Sequence, residues 1–242
     1  KDGKPMALTS LNKSDEAPFQ YGHLSLKAIL AVRDKRLAQT IDTVLLYNGR
    51  GFTRFNTGME STSSTGYGVA KYDNEAIPEG FRSQSGKNYT HAPLFWLSVI
   101  YLNYAEACAE LGNITQDDLD KSINLLKDRA GLPHLNPIVG FSDPANNHGV
   151  SDLIWEIRRE RRCELMFDND NRYWDLIRWH QLDKLDTTKY PDIILGANVA
   201  NDMDGCEANK VGKYIDGSKD GSRIYDKKHY LYPIPTGQIA LN

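Results

Sequence analysis

The sequence of 242 residues predicts a mainly α-helical fold, in which tetratricopeptide-like helical hairpins stand beside a loop-rich part that contains short β-strands. Beyond residue 93, apolar residues recur at three- and four-residue steps, the spacing of one helical face. Before it, β-branched runs alternate with stretches rich in Gly, Ser and Thr. No clean repeat of about 34 residues is present, so a regular tetratricopeptide array is not predicted. We treat the chain as a single region, 1–242, with a loop- and strand-rich part at 1–92, helical hairpins at 93–185 and an irregular carboxyl-terminal segment at 186–242.

The loop-rich part contains one clear strand signal. Thr40–Tyr47 is β-branched and apolar and is followed by Asn48-Gly49, a pattern that predicts a strand closed by a turn. The mixture of apolar and basic residues from Leu26 to Ile41 fits either helix or strand. From Gly51 to His91 the composition predicts loops and short strands.

The first two helices of the second part form a predicted hairpin. One helix begins at Pro93, which suits a first helical turn, and ends before Gly112. The next begins after Thr115, which can form a capping box with Asp118, and ends at Gly131–Pro133. The short connection predicts antiparallel packing. The residues expected to face the core are Leu97, Tyr101, Tyr104, Ala105 and Cys108 on the first helix, and Leu119, Ile123, Leu126 and Ala130 on the second.

Two further helices follow a loop. The third is predicted to begin after Ser151, a favourable N-cap, and to run to about Phe167. The polar residues 168–171 end it, and Arg172 to about Trp179 forms a fourth, short helix. Near the end of the chain, Tyr230–Pro235 contains two prolines, which favour extended or polyproline-like backbone over a central strand.

The third helix is densely charged, yet Arg161 falls on its apolar stripe. An unpaired buried charge is very costly, so Arg161 either reaches solvent or pairs with a carboxylate, for which Glu164 and Asp175 are candidates. We interpret Arg161, Glu164, Arg172 and Asp175 as a structural network that joins the third and fourth helices. The alternative is a solvated face with weak ion pairs.

Net charge and the spacing of metal-ligating residue types bear on which partners and cofactors are expected. A net charge of −3 gives no electrostatic reason to expect nucleic acid as a partner. The three cysteines and six histidines show no paired ligand spacing, so neither a metal site nor a cofactor is predicted. Asp202–Glu207 resembles part of a calcium loop but lacks its final glutamate, and a loop turn is the preferred interpretation.

Several stretches spread over residues 34–242 form an ordered pattern. They are Asp34–Leu37, Thr65–Tyr67, Tyr101–Ala107, Arg129–Pro133, Glu160–Phe167, Arg172–Trp179, Leu231–Pro235 and Ile239–Asn242. In this order they resemble the SusD/RagB-like family of cell-surface nutrient-binding proteins. One departure is Asp168-Asn169, where the family usually has Glu-Gly. The resemblance identifies the sequence as the carboxyl-terminal portion of such a protein.

The resemblance implies a non-catalytic protein that binds an oligosaccharide, or another nutrient, at the outer membrane of a bacterium. It implies a TonB-dependent, SusC-like transporter as the partner that receives the nutrient. It further implies a protein of about twice this length, whose amino-terminal half supplies more helical repeats and a lipid anchor. Both are expected to be missing from this sequence, which would place the whole protein on the cell surface. The resemblance implies no cofactor.

Aromatic residues in loops are the candidates for ligand binding, because aromatic rings stack on the apolar faces of sugar rings. Each of them can instead pack beneath its own loop. The candidates are Tyr47, Phe52, Phe55, Tyr67 and Tyr72. Aromatic residues at helical spacing are expected in the core instead; these are Tyr101, Tyr104, Tyr173, Trp174 and Trp179.

Two other functions fit the pattern. A helical-repeat scaffold that binds only protein partners would share the hairpins without a sugar cleft. An all-helical glycosidase would use two carboxyl groups about 5–10 Å apart, such as Glu160 and Glu164. Their arginine neighbours favour the ionised form of both, which is wrong for a general acid.

Overall fold

The computed structural model describes residues 2–5, 7–9, 26–45, 63–72, 74, 76–82, 84–168, 171–200, 206, 208–218 and 221–239. This part of the chain is mainly helical with a few short strands, which confirms the predicted fold class. None of its helices has the length and apolar character that crossing a bilayer requires. The helices are α1 (Leu26–Val32), α2 (Lys35–Thr40), α3 (Glu79–Arg82), α4 (Leu97–Glu110), α5 (Gln116–Asp120), α6 (Ile123–Ala130), α7 (Asp152–Glu164), α8 (Asn171–Arg178) and α9 (Thr236–Ile239). The strands are β1 (Ile41–Leu45), β2 (Tyr67–Val69), β3 (Leu195–Asn198), β4 (Lys210–Val211) and β5 (Tyr214–Asp216), and 3-10 turns lie at Leu182–Leu185, Pro191–Ile194 and Lys227–Tyr230.

The first hairpin is present, but α4 is rotated relative to the predicted face. Its buried residues are Leu102, Ala105, Glu106 and Ala109, whereas Tyr104 is 44% exposed. The prediction was wrong because apolar residues occur on both sides of this helix, so periodicity alone cannot choose the side that packs. Contact with α7 chooses the side that carries Glu106.

The helix predicted from Thr115 to Ala130 is two helices, α5 and α6. Thr115 forms the predicted capping box with Asp118, each side chain bonding to the backbone N–H of the other. The break lies at Ser122, which has φ −134° and ψ −98° and donates its hydroxyl to the Asp118 carbonyl at 2.6 Å. A hydroxyl that bonds to a carbonyl one turn earlier competes with the helical ladder. All four predicted core residues of this segment are nonetheless buried.

The predicted ends of α6 and α7 are explained by local hydrogen bonds. Gly131 adopts φ +66°, and the N–H of Leu132 bonds to the Lys127 carbonyl at 2.8 Å, which is the Schellman pattern. Ser151 caps α7 by accepting a hydrogen bond from the N–H of Ile154. α7 ends at Glu164 rather than near Phe167, because residues 165–167 form turns and Phe167 has φ +64°.

The main core lies between α4, α6 and α7. Leu102 of α4, Ile123 of α6 and Ile157 of α7 have no exposed surface. Ile157, Arg161 and Leu165 are buried along one stripe of α7, as predicted. The other buried members of the cluster are Ala105, Ala109, Leu119, Leu126 and Leu135.

Two small antiparallel sheets lie outside this core. β1 pairs with β2, which confirms the strand predicted at Thr40–Tyr47 for its residues Ile41–Leu45; Tyr47 lies outside the described residues. The second sheet has the order β3-β5-β4 and lies in the segment that was predicted to be irregular. Its strands have two to four residues each, too short to give a period in a stretch interrupted by Gly and Asp. Ala197, Val199, Cys206 and Ile215 form its small core.

The 63–66 loop is held tightly against β3. The N–H of Ala197 bonds to the Thr65 carbonyl at 2.7 Å, and a Cβ on Gly196 would collide with the Thr65 backbone. We therefore expect Gly196→Ala to lower the free energy of unfolding by about 1–3 kcal/mol, because overpacking forces the backbone apart. Urea denaturation measures this change. The control is Gly80→Ala in α3, where an added Cβ meets no atom within 4 Å. Equal stability of the two variants would contradict the close packing.

Candidate functional site

Arg161, which the sequence placed on the apolar stripe of α7, is buried and pairs with a carboxylate rather than reaching solvent. Its Nε donates to Asp175 Oδ2 at 2.7 Å, and its Nη1 donates to Asn103 Oδ1 at 2.8 Å. The Arg161 and Asp175 side chains are 6% and 5% exposed. Arg161 thus connects α7 to α8 and to α4, and it has the position of a framework residue.

Glu106 is the centre of the same network, and the sequence analysis did not identify it. Its carboxylate accepts hydrogen bonds from Arg158 Nε at 3.2 Å, Arg178 Nη2 at 2.5 Å and Trp179 Nε1 at 2.6 Å. The guanidinium groups of Arg158 and Arg178 also lie 4.7 Å and 4.5 Å from the centroid of the Trp179 ring. The signal was available: a carboxylate lies among the small and apolar residues Leu102, Ala105 and Ala109. Arg161 was identified by the same kind of pattern.

Glu164 belongs to a second cluster, centred on Arg36 of α2. Arg36 contacts Glu164 at 2.8 Å, Glu160 at 2.5 Å and Asp34 at 2.6 Å, and its side chain is 7% exposed. Burial alone would lower the pKa of Arg36, but the bonds and charges of Asp34, Glu160 and Glu164 outweigh it and raise the pKa. Arg129, at 2.5 Å from Glu164, and the buried Lys127, at 3.6 Å from Glu160, also belong to the cluster. The structure therefore divides the proposed network between two places.

Arg172 belongs to neither cluster. In the described part of the chain it has no carboxylate partner, and its guanidinium lies 5.9 Å from the centroid of the Trp179 ring. Burial, and next the charge of Arg162, lower the pKa of Arg172 to about 10. Its predicted role as a member of the ion-paired framework is therefore corrected. Asp175, one turn after Arg172 in α8, gives its two carboxylate oxygens to Arg161 and Arg178 instead.

The helical aromatic residues are less buried than predicted. Tyr101 is partly buried against the main core, and Trp179 packs in the Glu106 network. Tyr173 and Trp174 are 37% and 52% exposed and meet edge to face with ring centroids 5.6 Å apart.

Among the described loop aromatic residues, Tyr72 is exposed and is held through its hydroxyl group. Its hydroxyl donates to Asp168 Oδ1 and lies 3.2 Å from the Phe167 carbonyl oxygen, while 44% of the residue is exposed. Lys71 Nζ contacts the other Asp168 oxygen at 2.8 Å and the Met166 carbonyl at 2.9 Å. Burial and the bond to Asp168 raise the pKa of Tyr72 to about 12, so the hydroxyl keeps its proton at neutral pH.

The other candidates divide into two groups. Tyr67 is half-buried and packs against the core of the second sheet, so less of its ring faces solvent. Tyr47, Phe52 and Phe55 lie outside the described residues, and their role stays a prediction. The described residues also contain no group of three His, Cys, Asp or Glu side chains arranged to hold a metal ion. Most of Asp202–Glu207 lies outside them.

Comparisons with known proteins agree with this geometry. The sequence model of the SusD family matches residues 27–242. None of the curated proteins matches the chain. Among solved structures, a SusD-like protein from Bacteroides fragilis NCTC 9343 aligns with 99% of this chain and 44% of its own, at 21% sequence identity and a TM-score of 0.51. That likeness supports the fold, and the chain spans less than half of that protein's length. The family match covers most of the sequence, so this chain belongs to the SusD family.

Proposed function

We propose that this chain is part of a non-catalytic protein that binds an oligosaccharide at the surface of a bacterial outer membrane and passes it to a TonB-dependent, SusC-like transporter. Membership of the SusD family supports the general role of nutrient binding at the cell surface. The observation that supports a sugar as the nutrient is the Tyr72 ring, which is exposed yet held in place through its hydroxyl.

A fixed aromatic ring suits carbohydrate binding for a physical reason. The ring offers an apolar face to the C–H groups of a sugar, and little conformational entropy is lost if the ring is already immobile. Asp168 immobilises Tyr72, and Asp168 is itself 4% exposed and held by Lys71. Tyr72 therefore forms a preorganised surface at the edge of the loop-rich part, where binding residues tend to occur.

The arrangement of the acidic residues supports a protein without glycosidase activity. A glycosidase needs one carboxyl group that can donate a proton. Glu160 and Glu164 both accept hydrogen bonds from Arg36, and an arginine can only donate. Glu106 and Asp175 are occupied by arginine donors in the same way. These carboxylates act as framework acceptors in our proposal.

The open face of α4 supports the presence of further polypeptide. Leu97, Ile100 and Tyr104 lie on the side of α4 away from the core, and they are 63%, 59% and 44% exposed. A helix that is apolar on two faces belongs between two layers. We propose that the amino-terminal half of a longer protein covers this face and carries the lipid anchor, because the Bacteroides fragilis protein is more than twice as long as this chain.

The same face favours the second candidate function, a helical scaffold that binds only proteins. Helical-repeat proteins use such extended surfaces for their partners. The two candidates differ in one respect: a scaffold has no use for an exposed, immobilised tyrosine in the loop-rich part. Sugar binding is therefore the property to measure.

We expect Tyr72→Ala to weaken the binding of a neutral oligosaccharide by about five- to thirtyfold, since a stacked aromatic ring contributes on the order of 1–2 kcal/mol. Isothermal titration with a panel of neutral oligosaccharides of several linkages first finds a ligand for the chain, and the variant is then titrated with it. The sugars are recovered afterwards and their length is measured, because shortened products would indicate an enzyme.

Tyr72→Phe is the matched control. It keeps the ring but removes the hydroxyl bond to Asp168 that immobilises it, so we expect an affinity between those of the unmodified chain and Tyr72→Ala. No heat with any sugar would favour the scaffold. Equal affinity of Tyr72→Ala and the unmodified chain would remove Tyr72 from the site.

A further inference from the structure

A cavity of about 740 Å³ lies between α7, α8 and the 3-10 turn at Leu182–Leu185. Its size is typical of small-molecule sites in proteins. The lining residues are Arg161, Arg162, Leu165, Met166, Phe167, Asp168, Asn171, Arg172, Tyr173, Asp175, Leu176 and Leu185; those that carry the argument are the charged and aromatic ones.

The charges in the cavity do not cancel. Arg161 and Asp175 neutralise each other at 2.7 Å, and Asp168 is paired with Lys71 at 2.8 Å. Arg162 and Arg172 remain: among the residues that the structure describes neither forms an ion pair with a carboxylate, and the charge of Asp175, which acts on Arg172, is shared with Arg161 and Arg178. Two like charges at one cavity repel each other, and a bound anion would relieve that repulsion.

The excess of positive charge at the cavity also affects the neighbouring Lys184. Burial, and next the charges of Arg172 and Arg162, together lower the pKa of Lys184 to about 8. Arg172 itself is half-buried, so its charge is less well hydrated than that of an exposed arginine. An anion placed between Arg162 and Arg172 would replace the missing hydration.

Two aromatic residues line the same cavity. Tyr173 is 37% exposed and Phe167 is 55% exposed. Aromatic rings beside a pair of arginines match a ligand that has both an apolar face and a negative group. Arginine is the residue best suited to hold a carboxylate, because its two N–H groups match the two carboxylate oxygens.

We propose that this cavity binds a sugar unit that carries a carboxylate, such as a uronic acid, through Arg162 and Arg172. The inference rests on the proposed function in that it assumes a saccharide ligand, but the cavity is separate from the Tyr72 ring. The protein would then bind acidic glycans in preference to neutral ones of the same length.

The test compares trigalacturonate with galactotriose in calorimetric titrations of the 242-residue chain. We expect trigalacturonate to bind at least about tenfold more tightly, and Arg172→Gln to remove about that factor, because it removes charge-assisted hydrogen bonds to the carboxylate. Arg162→Gln lies at an exposed position and should act in the same direction, so it decides the question if Arg172→Gln does not fold. Lys121→Gln just after α5, where the side chain is 66% exposed and does not line the cavity, also removes one positive charge and should change nothing.

The outcomes separate this proposal from the function on which it rests. If galactotriose binds as tightly as trigalacturonate, or if both arginine variants keep the preference, the acidic-sugar site is overturned while neutral-sugar binding stands. If trigalacturonate binds through Arg172 and no neutral sugar binds, the site holds and the Tyr72 proposal fails. If hexaglutamate binds more tightly than trigalacturonate and depends on the same arginines, a polypeptide fills the cavity and the sugar proposal is wrong.

Discussion

Arg36→Met is expected to lower the free energy of unfolding by about 3–5 kcal/mol at neutral pH, because it removes the central cation, shared by three carboxylates, from a buried ion-pair cluster. Asp34 would lose its Arg36 partner, while Glu160 and Glu164, whose side chains are only 4% and 9% exposed, would keep Lys127 at 3.6 Å and Arg129 at 2.5 Å. Chemical denaturation at constant ionic strength measures the loss. A loss as large as this is a substantial fraction of the stability of a typical domain.

The pH dependence gives a second, independent test of the Arg36 cluster. Burial by itself would raise the pKa of Asp34, but the bonds and charge of Arg36 outweigh it, so the folded-state pKa lies below the ordinary value. Stability from Asp34 is therefore present above the unfolded-state pKa of about 3.9 and is lost as the pH falls through the folded-state value. In Arg36→Met the change of stability with pH is expected to have the opposite sign. Acidification protonates carboxylates that repel each other, so the variant regains part of its lost free energy of unfolding as the pH falls.

Arg129→Met is the matched control for Arg36→Met. Arg129 pairs with the same Glu164, but its side chain is 55% exposed, and exposed ion pairs contribute less than about 1 kcal/mol. If the two variants lose equal stability, burial is not what makes the Arg36 cluster important. If Arg36→Met loses stability but acid restores none of it, repulsion among the three carboxylates is not the cause.

Glu106→Gln is expected to have the next largest effect, a loss of about 2–3 kcal/mol, because hydrogen bonds to a charged group are among the stronger ones. The substitution keeps the shape of the side chain and removes the charge that faces Arg158 and Arg178. It also weakens the acceptor for the Trp179 indole. The near-ultraviolet circular dichroism of the chain should therefore change together with the denaturation midpoint.

Glu110→Gln on the same helix separates burial from charge. Glu110 contacts Arg158 at 3.0 Å, as Glu106 does at 3.2 Å, yet its side chain is 51% exposed. We expect it to lose less than about 1 kcal/mol. A loss in Glu110→Gln equal to that in Glu106→Gln would mean that Arg158, rather than the buried carboxylate, is the centre of the network.

Features set by local hydrogen bonds could be predicted from the sequence. The capping box at Thr115, the cap at Ser151 and the left-handed Gly131 each depend on residues within a few positions of one another. The buried stripe of α7, including Arg161, also followed from spacing, because that helix has only one apolar side.

Features set by contacts between distant residues could not be predicted. α4 is apolar on both sides, and only its packing against α7 selects Glu106 for burial. Spacing offered Glu164 and Asp175 equally as partners for Arg161. The competing partner of Glu164 is Arg36, which lies 128 residues earlier in the chain. Short strands such as β4 and β5 are stabilised by pairing with their neighbours, and they are too short to show a hydrophobic period in the sequence.

Asp168 lies between the Tyr72 ring and the cavity that contains Arg162 and Arg172, and it contacts both. One carboxylate oxygen holds Lys71 and the other holds Tyr72, while the same residue lines the cavity that contains Arg162 and Arg172. A polymer that reached from the tyrosine ring to the two arginines would span a gap set by a single buried side chain. If both proposals hold, the protein would select a polymer by the number of sugar units between a neutral unit and the next acidic unit. Two polymers with the same sugar composition but a different order of units would then bind differently.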